Sequence, residues 1–424
     1  MSIVASKGQQ PVMQFKNSPQ QDVVRRHSSD GIGYSVVDLH GVSHVFAAAV
    51  PRCVGSLDEQ AHDALKTIEE VFAEEGTRNS IVKQAVFMRD ANQWEKCRQL
   101  IRDFYGEQMP ATTFILQPPC CGKAVSIEAL GVGRASEPVE IDRRGEKCVI
   151  TRHNGVSWVH CSQIMPRHSA KGVYDRSVTA FEKMEAMLAS KGVKYSQVIR
   201  TWLYLGDIVG PEGDTQRYKE LNRARTDFYK DIVFGPDYLP DGYRGTIYPA
   251  STGIGTSNHD VVMSCIAVDA APGQLQIMPL ENPRQTPAFD YGQHYSPKSP
   301  KFARAMAVSG DGRATIFVSG TASITDSETR WIGDAARQTT ETLDNIEALI
   351  SEDNLAGHGW PGKGARLDDL AFVRVYIKYQ EDYEKVRAVC EDRLGELPAI
   401  YAIADVCRDD LLVEIEGIAF STKE

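Results

Sequence analysis

The chain is expected to be an α/β protein with mixed sheets, built from three tandem copies of one small unit that assemble as an intramolecular pseudo-trimer. Three observations lead there. A strand–helix–strand–helix–strand pattern recurs three times along 424 residues. Each copy ends in an alternating apolar strand. The copies are separated by Gly- or Pro-containing linkers.

The third copy is the clearest. Ala314 to Thr321 alternates and stops at Gly-Thr, as a strand entering a turn does. Asp334 to Ile350 follows, with Thr339, Leu343, Ile346 and Ile350 at helical spacing. Leu370 to Ile377 is a second strand, Asp382 to Leu394 a second helix, and Leu411 to Ile418 the closing strand. The middle copy runs from the strand Ser157 to Cys161 through the helix Val173 to Lys191. The strand Val198 to Tyr204, the helix Gln216 to Lys230 and the strand Val261 to Val268 complete it. In the first copy the matching segments are Val42 to Ala49, Leu57 to Glu75, Ile81 to Met88, Asn92 to Tyr105 and Ala124 to Val132. A sheet with helices on one face leaves its other face needing a partner, and three units in one chain supply it internally.

The expected division is a disordered segment over 1–30, a first unit over 31–135, a second over 136–280 and a third over 281–424. Gly133–Val139 and the Pro- and Gln-rich Ala270–Pro287 read as linkers.

Composition narrows the function classes. Hydrophobic residues make up 42% and charged residues 25%, as in ordinary globular chains. The net charge of −10, with basic clusters no longer than the pairs Arg25-Arg26 and Arg143-Arg144, argues against a sequence-independent grip on nucleic acid. No apolar run approaches the ~18 residues that span a bilayer, and the Gln-rich start lacks a signal-peptide core, so the expected location is cytoplasmic. Nine scattered cysteines without CxxC pairs argue against a disulfide framework or zinc ribbon; the vicinal pair Cys120-Cys121 is taken as incidental. The ten histidines complete no zinc-finger or zinc-ribbon motif with the cysteines, and no metal or cofactor is expected. Gly31-Ile-Gly33 and Gly253-Ile-Gly255 complete neither a dinucleotide nor a phosphate-loop fingerprint.

The repeated unit, ending in Val413-Glu-Ile-Glu-Gly-Ile-Ala419, resembles the Rid superfamily (YjgF, endoribonuclease L-PSP), whose fold is chorismate-mutase-like. That resemblance implies trimer-like packing with sites in the clefts between units. Residues from about 150 to 424 resemble a narrower group, the chorismatases and 3-hydroxybenzoate synthases. The matching stretches are Phe302 to Ala305, Val318 to Ile324, Gln338 to Ile346 and Ile403 to Gly417, with Arg200 to Tyr204, Arg217 to Arg225 and Pro249 to Gly255 in the second unit. The first unit fits the superfamily only.

Where the third unit has Glu414, the first has Ser126 and the second Val262, so one carboxylate of three survives. The narrower resemblance implies that Glu414 is a general acid protonating the enolpyruvyl methylene of chorismate, with Cys407 at the position typical of the 3-hydroxybenzoate-forming branch. Such an acid must stay protonated near neutral pH, which burial supplies. Glu414 and Glu416 share one face of a strand, and the alternative to a catalytic role is that both face solvent or pair with Arg on a neighbouring strand. Chorismate is a dianion, so Arg304, Arg374, Arg408 and Arg244 are candidate substrate-binding cations. Thr321 and Ala322, in the Gly320 to Ser323 turn, are candidates for backbone or hydroxyl contacts. The expected products are pyruvate and a hydroxybenzoate, 3-hydroxybenzoate favoured, or a dihydroxycyclohexadiene carboxylate.

The alternative is a Rid-type small-molecule-binding protein or a degenerate, imine-deaminase-like enzyme. The imine deaminases carry an Arg after Pro-Ala, whereas this chain reads Pro110-Ala-Thr112, Pro249-Ala-Ser251 and Pro398-Ala-Ile400. Without that Arg a substrate carboxylate loses its main anchor. Ribonuclease activity has little support from the charge or the histidines, and the repeated Ser-Lys pairs of a cyanuric-acid amidase are missing. The expected partner is a small carboxylate substrate, not nucleic acid or membrane, and the expected state is a monomer or small homo-oligomer.

Overall fold

The computed structural model describes residues 23–258, 260–292, 295, 298–310 and 312–422. Three six-stranded sheets dominate it. The first contains β1 (Arg25–Ser29), β2 (Ile32–Leu39), β3 (Val42–Ala49), β4 (Ile81–Met88), β5 (Ala111–Ile115) and β6 (Val125–Arg134). The second contains β7 (Glu140–Arg143), β8 (Cys148–His153), β9 (Val156–Ile164), β10 (Val198–Gly206), β11 (Ala250–Thr256) and β12 (Val261–Ala270). The third contains β13 (Gln276–Leu280), β14 (Ala305–Ser309), β15 (Ala314–Ala322), β16 (Leu370–Ile377), β17 (Ala399–Ile403) and β18 (Val413–Phe420). Each sheet has the same spatial order: first, second, third, sixth, fourth, fifth. In each, the fourth and fifth strands pair in parallel and the other neighbours are antiparallel.

Two helices lie on the outer face of every sheet: α1 (Leu57–Glu74) and α2 (Trp94–Tyr105), α3 (Gly172–Ala189) and α4 (Arg217–Tyr229), α5 (Ala335–Ile350) and α6 (Tyr383–Leu394). Local chemistry sets their starts. Ser56 and Glu59 form a capping box on α1, and the Asp334 side chain accepts from the Arg337 N–H at the head of α5. Each helix pair forms its own apolar cluster with its sheet. The inner faces share a central cluster to which Phe46, Phe87, Trp202, Phe317, Phe372 and Phe420 contribute from three sheets. Burying one such ring stabilises the fold by about 1.5–3 kcal/mol.

The units join head to tail in a closed ring. Gln163 accepts from the Phe114 N–H at 2.8 Å, joining first to second. Ser319 Oγ accepts from the Ser251 N–H at 2.9 Å, joining second to third. Ser35 donates to the Ala371 carbonyl at 2.6 Å, joining third to first.

Three boundary expectations need correction. Residues 25–29, expected within a disordered segment, form strand β1, and the Arg26 guanidinium donates to the carbonyls of Leu394 and Leu370, both at 2.8 Å. The rest of that expectation, over 1–22, lies outside the described residues. The first linker is shorter than expected, because β6 runs on to Arg134, paired with Val42. Within the second linker, Gln276–Leu280 pairs with Ala305–Ser309, so the third sheet begins before residue 281. Among the described residues no helix is long and apolar enough to cross a membrane.

Candidate active site between the second and third units

Strand β18 places two carboxyls two residues apart on one face, with Ile415 turned to the outer helical core. Their surroundings differ sharply. Glu416 is 3% exposed and saturated with donors. Arg374 Nη1 and the Tyr376 hydroxyl each donate to Oε1 at 2.9 Å, and Trp202 Nε1 donates at 2.9 Å. Arg200 and Thr252 hold Oε2. Burial alone would raise the Glu416 pKa, but Arg374 and Arg200 outweigh it and hold the group below the usual carboxylate range.

Glu414 is 4% exposed, and among the described residues no hydrogen-bond donor reaches its carboxyl. Burial, reinforced by the nearby Glu416 charge, pushes its pKa up from 4.5 to about 8; Arg200 and Arg304 oppose this without cancelling it. Adjacent carboxyls are therefore driven apart, one ionised and one protonated at neutral pH, the pattern that marks acid and base roles. A β-bulge in β15 between Val318 and Thr321 makes the room. A Cβ on Gly320 would collide with the Glu414 carboxyl, so any other residue there must displace that side chain.

Glu414 opens into a cavity of about 560 Å³ between the second and third units. Arg225 from α4 enters from one side, Arg304 and Arg408 from the other. Arg225 donates to Asn222 and, at 3.4 Å, to Ser251 Oγ. Arg304 donates to the Tyr291 hydroxyl at 2.6 Å, and Arg408 to the Ser327 carbonyl at 2.8 Å. Each keeps one buried N–H without a hydrogen-bond partner among the described residues: Arg225 Nε, Arg304 Nε and Arg408 Nη2. Buried donors of this kind are normally satisfied, and three arginines lining one cavity suit the acceptor oxygens of an anion. Aromatic faces cover the cations: Phe302 lies against Arg225 and Arg304 at 5.6 and 5.5 Å, and Tyr295 lies 4.4 Å from Arg408. Cys407 also lines the cavity, its thiol pushed up to about 12 by burial first and by Glu414 second, and so neutral.

A family profile described as "Chorismatase FkbO/Hyg5-like, N-terminal" matches residues 133–267. A 3-hydroxybenzoate synthase of Streptomyces hygroscopicus is 34% identical over 286 residues, which is 65% of this chain and 77% of that protein. The chain belongs to the chorismatase family. A crystal structure of a chorismatase, 22% identical, superposes with a TM-score of 0.60 over 80% of this chain and 93% of the other, a likeness of fold. The wider kinship also appears: a RutC family protein of Pyrococcus abyssi is 32% identical over 134 residues, 30% of this chain and 94% of that protein.

In this chorismatase-family chain, Glu414, Cys407, Arg304, Arg408 and Ala322 all line the cavity. Three other candidates do not. Arg374 faces the central core, where its guanidinium binds Glu128 (Nε to Oε2, 2.6 Å) and Glu416, so its charge is spent structurally. Thr321 sits on the other side of the β15 pleat and donates to the Ser319 carbonyl at 2.9 Å. Arg244 is exposed on the segment before β11 and lies outside the cavity lining. The expected turn at Gly320 to Ser323 is instead the bulged end of β15, and the Gly320 N–H is taken by Thr252 Oγ1 at 3.0 Å.

The register supports the comparison of the three closing strands. Glu414 pairs with Tyr376, Ser126 with Phe87 and Val262 with Tyr204, the same place in each sheet. Arg225 lies inside a stretch carrying the family resemblance, but nothing in that stretch singles it out. A single Arg in a polar helix reads as a surface residue until the fold turns it inward.

Proposed function

We propose that this chain cleaves chorismate, with Glu414 as the general acid. The observation carrying the proposal is a neutral, buried carboxyl and three arginines, each with an N–H lacking a partner among the described residues, lining one cavity. Glu414 gives its proton to the enolpyruvyl methylene carbon, which becomes a methyl group and leaves an oxocarbenium centre at the ether carbon. Water adds there and the hemiketal collapses, breaking the bond between that carbon and the ether oxygen. Pyruvate departs, the ring keeps its oxygen, and the proton lost by water returns to Glu414. These steps give pyruvate and a dihydroxycyclohexadiene carboxylate. Loss of a ring hydroxyl as water then aromatises the ring, so a hydroxybenzoate forms with no net consumption of water.

Arg225, Arg304 and Arg408 are the candidate carboxylate anchors, and bidentate guanidinium contacts suit them. Cys407 is a neutral thiol against the reacting carboxyl, so it shapes the pocket rather than attacking. This argues for 3-hydroxybenzoate as the favoured aromatic product, Cys407 being the residue typical of that branch. The reading includes a cytoplasmic enzyme acting on a small carboxylate substrate.

The test is incubation with chorismate, following pyruvate by a coupled assay and ring products by chromatography. Pyruvate in step with an aromatic or diene acid supports the proposal. Folded protein that binds chorismate and releases no pyruvate from about pH 6 to 9 overturns it in favour of a binding protein.

A further inference from the structure

A second cavity, of about 670 Å³, lies where the three inner sheet faces meet. It shares no lining residue with the Glu414 cavity. Its walls are aromatic and come from every unit. Phe46 of the first meets Phe420 of the third at 5.9 Å, and Trp158 of the second meets Phe317 of the third at 6.3 Å. Rings of this kind in a cavity of several hundred Å³ are the usual lining of a small-molecule site.

What separates this cavity from an ordinary packing gap is its unused polar chemistry. His160 is 3% exposed, and neither ring nitrogen has a hydrogen-bond partner among the described residues. The same holds for His153 Nδ1, His44 Nε2, Trp158 Nε1 and the fully buried Thr151 hydroxyl. All five residues line the cavity. A buried donor or acceptor left without a partner costs about 1–3 kcal/mol, so five such residues around one space are expensive unless something occupies it.

The chemistry of the lining selects the occupant. A neutral imidazole both donates and accepts, whereas an anion needs a positive partner. Burial lowers the pKa of His44 and His160 to about 3 and that of His153 to about 4, so these rings are neutral at pH 7. Arg313, the permanently charged residue among the described lining, is already engaged. A metal ion is disfavoured too: among the described residues, no group of three His, Cys, Asp or Glu side chains is placed to hold one.

We propose that this axial cavity is a second binding site, for an uncharged aromatic molecule carrying hydroxyl or amide groups. Its ring packs among Phe46, Trp158, Phe317 and Phe420, and its polar groups satisfy His153, His160 and the Trp158 N–H. The site is separate from the proposed chorismate site and does not depend on it.

Phenol is the probe and benzoate the charged control, both against the full chain. Crystals soaked in phenol should show a ring in the axial cavity within hydrogen-bond reach of His153 or His160. In calorimetric titration, His160→Phe and His153→Leu should each weaken phenol binding on the order of tenfold, the equivalent of one lost hydrogen bond. Two variants guard against one failing to fold. Glu414→Gln should leave the axial affinity unchanged, and benzoate should bind there at least tenfold more weakly than phenol. Phenol found only in the Glu414 cavity, or nowhere at millimolar concentration, overturns the proposal. So does phenol affinity in both histidine variants equal to that of the unmodified chain, or benzoate binding the axial site as well as phenol.

Discussion

Replacing Glu414 with Gln keeps the side chain's shape and removes both its transferable proton and its titration. In the folded chain the carboxyl has its pKa raised from 4.5 to about 8, chiefly by burial. The folded state thus holds the proton more tightly than the unfolded chain does. Stability from this group is fully present below about pH 4.5 and is lost as pH rises through about 8. At ~1.4 kcal/mol per pH unit, that interval corresponds to ~5 kcal/mol before any water in the adjoining cavity is counted. Glutamine does not titrate, so Glu414→Gln should be spared this loss. Urea unfolding of both proteins at about pH 5, 7 and 9 measures it, because the other ionisable groups are common to the two chains. Wild type should lose stability relative to the variant as pH rises, by several kcal/mol at the alkaline end. At neutral pH the variant should be at least as stable as wild type, while its pyruvate release from chorismate falls about 10²- to 10⁴-fold. Parallel stability curves, or turnover within about threefold of wild type, would refute the reasoning.

Other substitutions address the surrounding structure. Gly320→Ala should push the Glu414 carboxyl out of place, lowering kcat at least tenfold while costing about 1–3 kcal/mol of stability, read by kinetics and denaturation together. Arg374→Leu leaves Glu128 and Glu416 buried without their shared cation and should destabilise by about 3–5 kcal/mol, seen as a lower denaturation midpoint. Arg225→Gln removes a cation from the cavity and should raise the KM for chorismate about ten- to a hundredfold with little loss of stability, one charged hydrogen bond being worth about 1.5–3 kcal/mol.

The main strands and helices were legible because each carries a period that only one kind of element uses. The helix expected over Leu57 to Glu75 occupies Leu57–Glu74, and the strand expected over Leu370 to Ile377 has those same bounds. Two edge strands were not legible, β1 for want of a hydrophobic signal and β13 because a proline interrupts it. β1 reads Arg-Arg-His-Ser-Ser, and β13 contains Pro279, which a central strand would reject and an edge strand tolerates. For the site, Glu414 stood out through its motif, but its difference from Glu416 could not be read locally. That difference depends on Arg200 and Thr252, 216 and 164 residues away in sequence. Arg374 failed as a substrate ligand for a related reason. Its alternation in β16 correctly turned it inward, yet its partner Glu128 lies 246 residues earlier, on another unit. Which buried arginines are already paired is a property of the assembled ring, invisible along the chain.

One titration bears on the whole catalytic reading. Carbon-13 NMR of protein labelled at glutamate side-chain carboxyls should contain a resonance that is missing in Glu414→Gln and moves with a midpoint near 8. If the resonance assigned to Glu414 instead titrates near 4.5, the side chain is ionised at neutral pH, and it has no proton to give to chorismate.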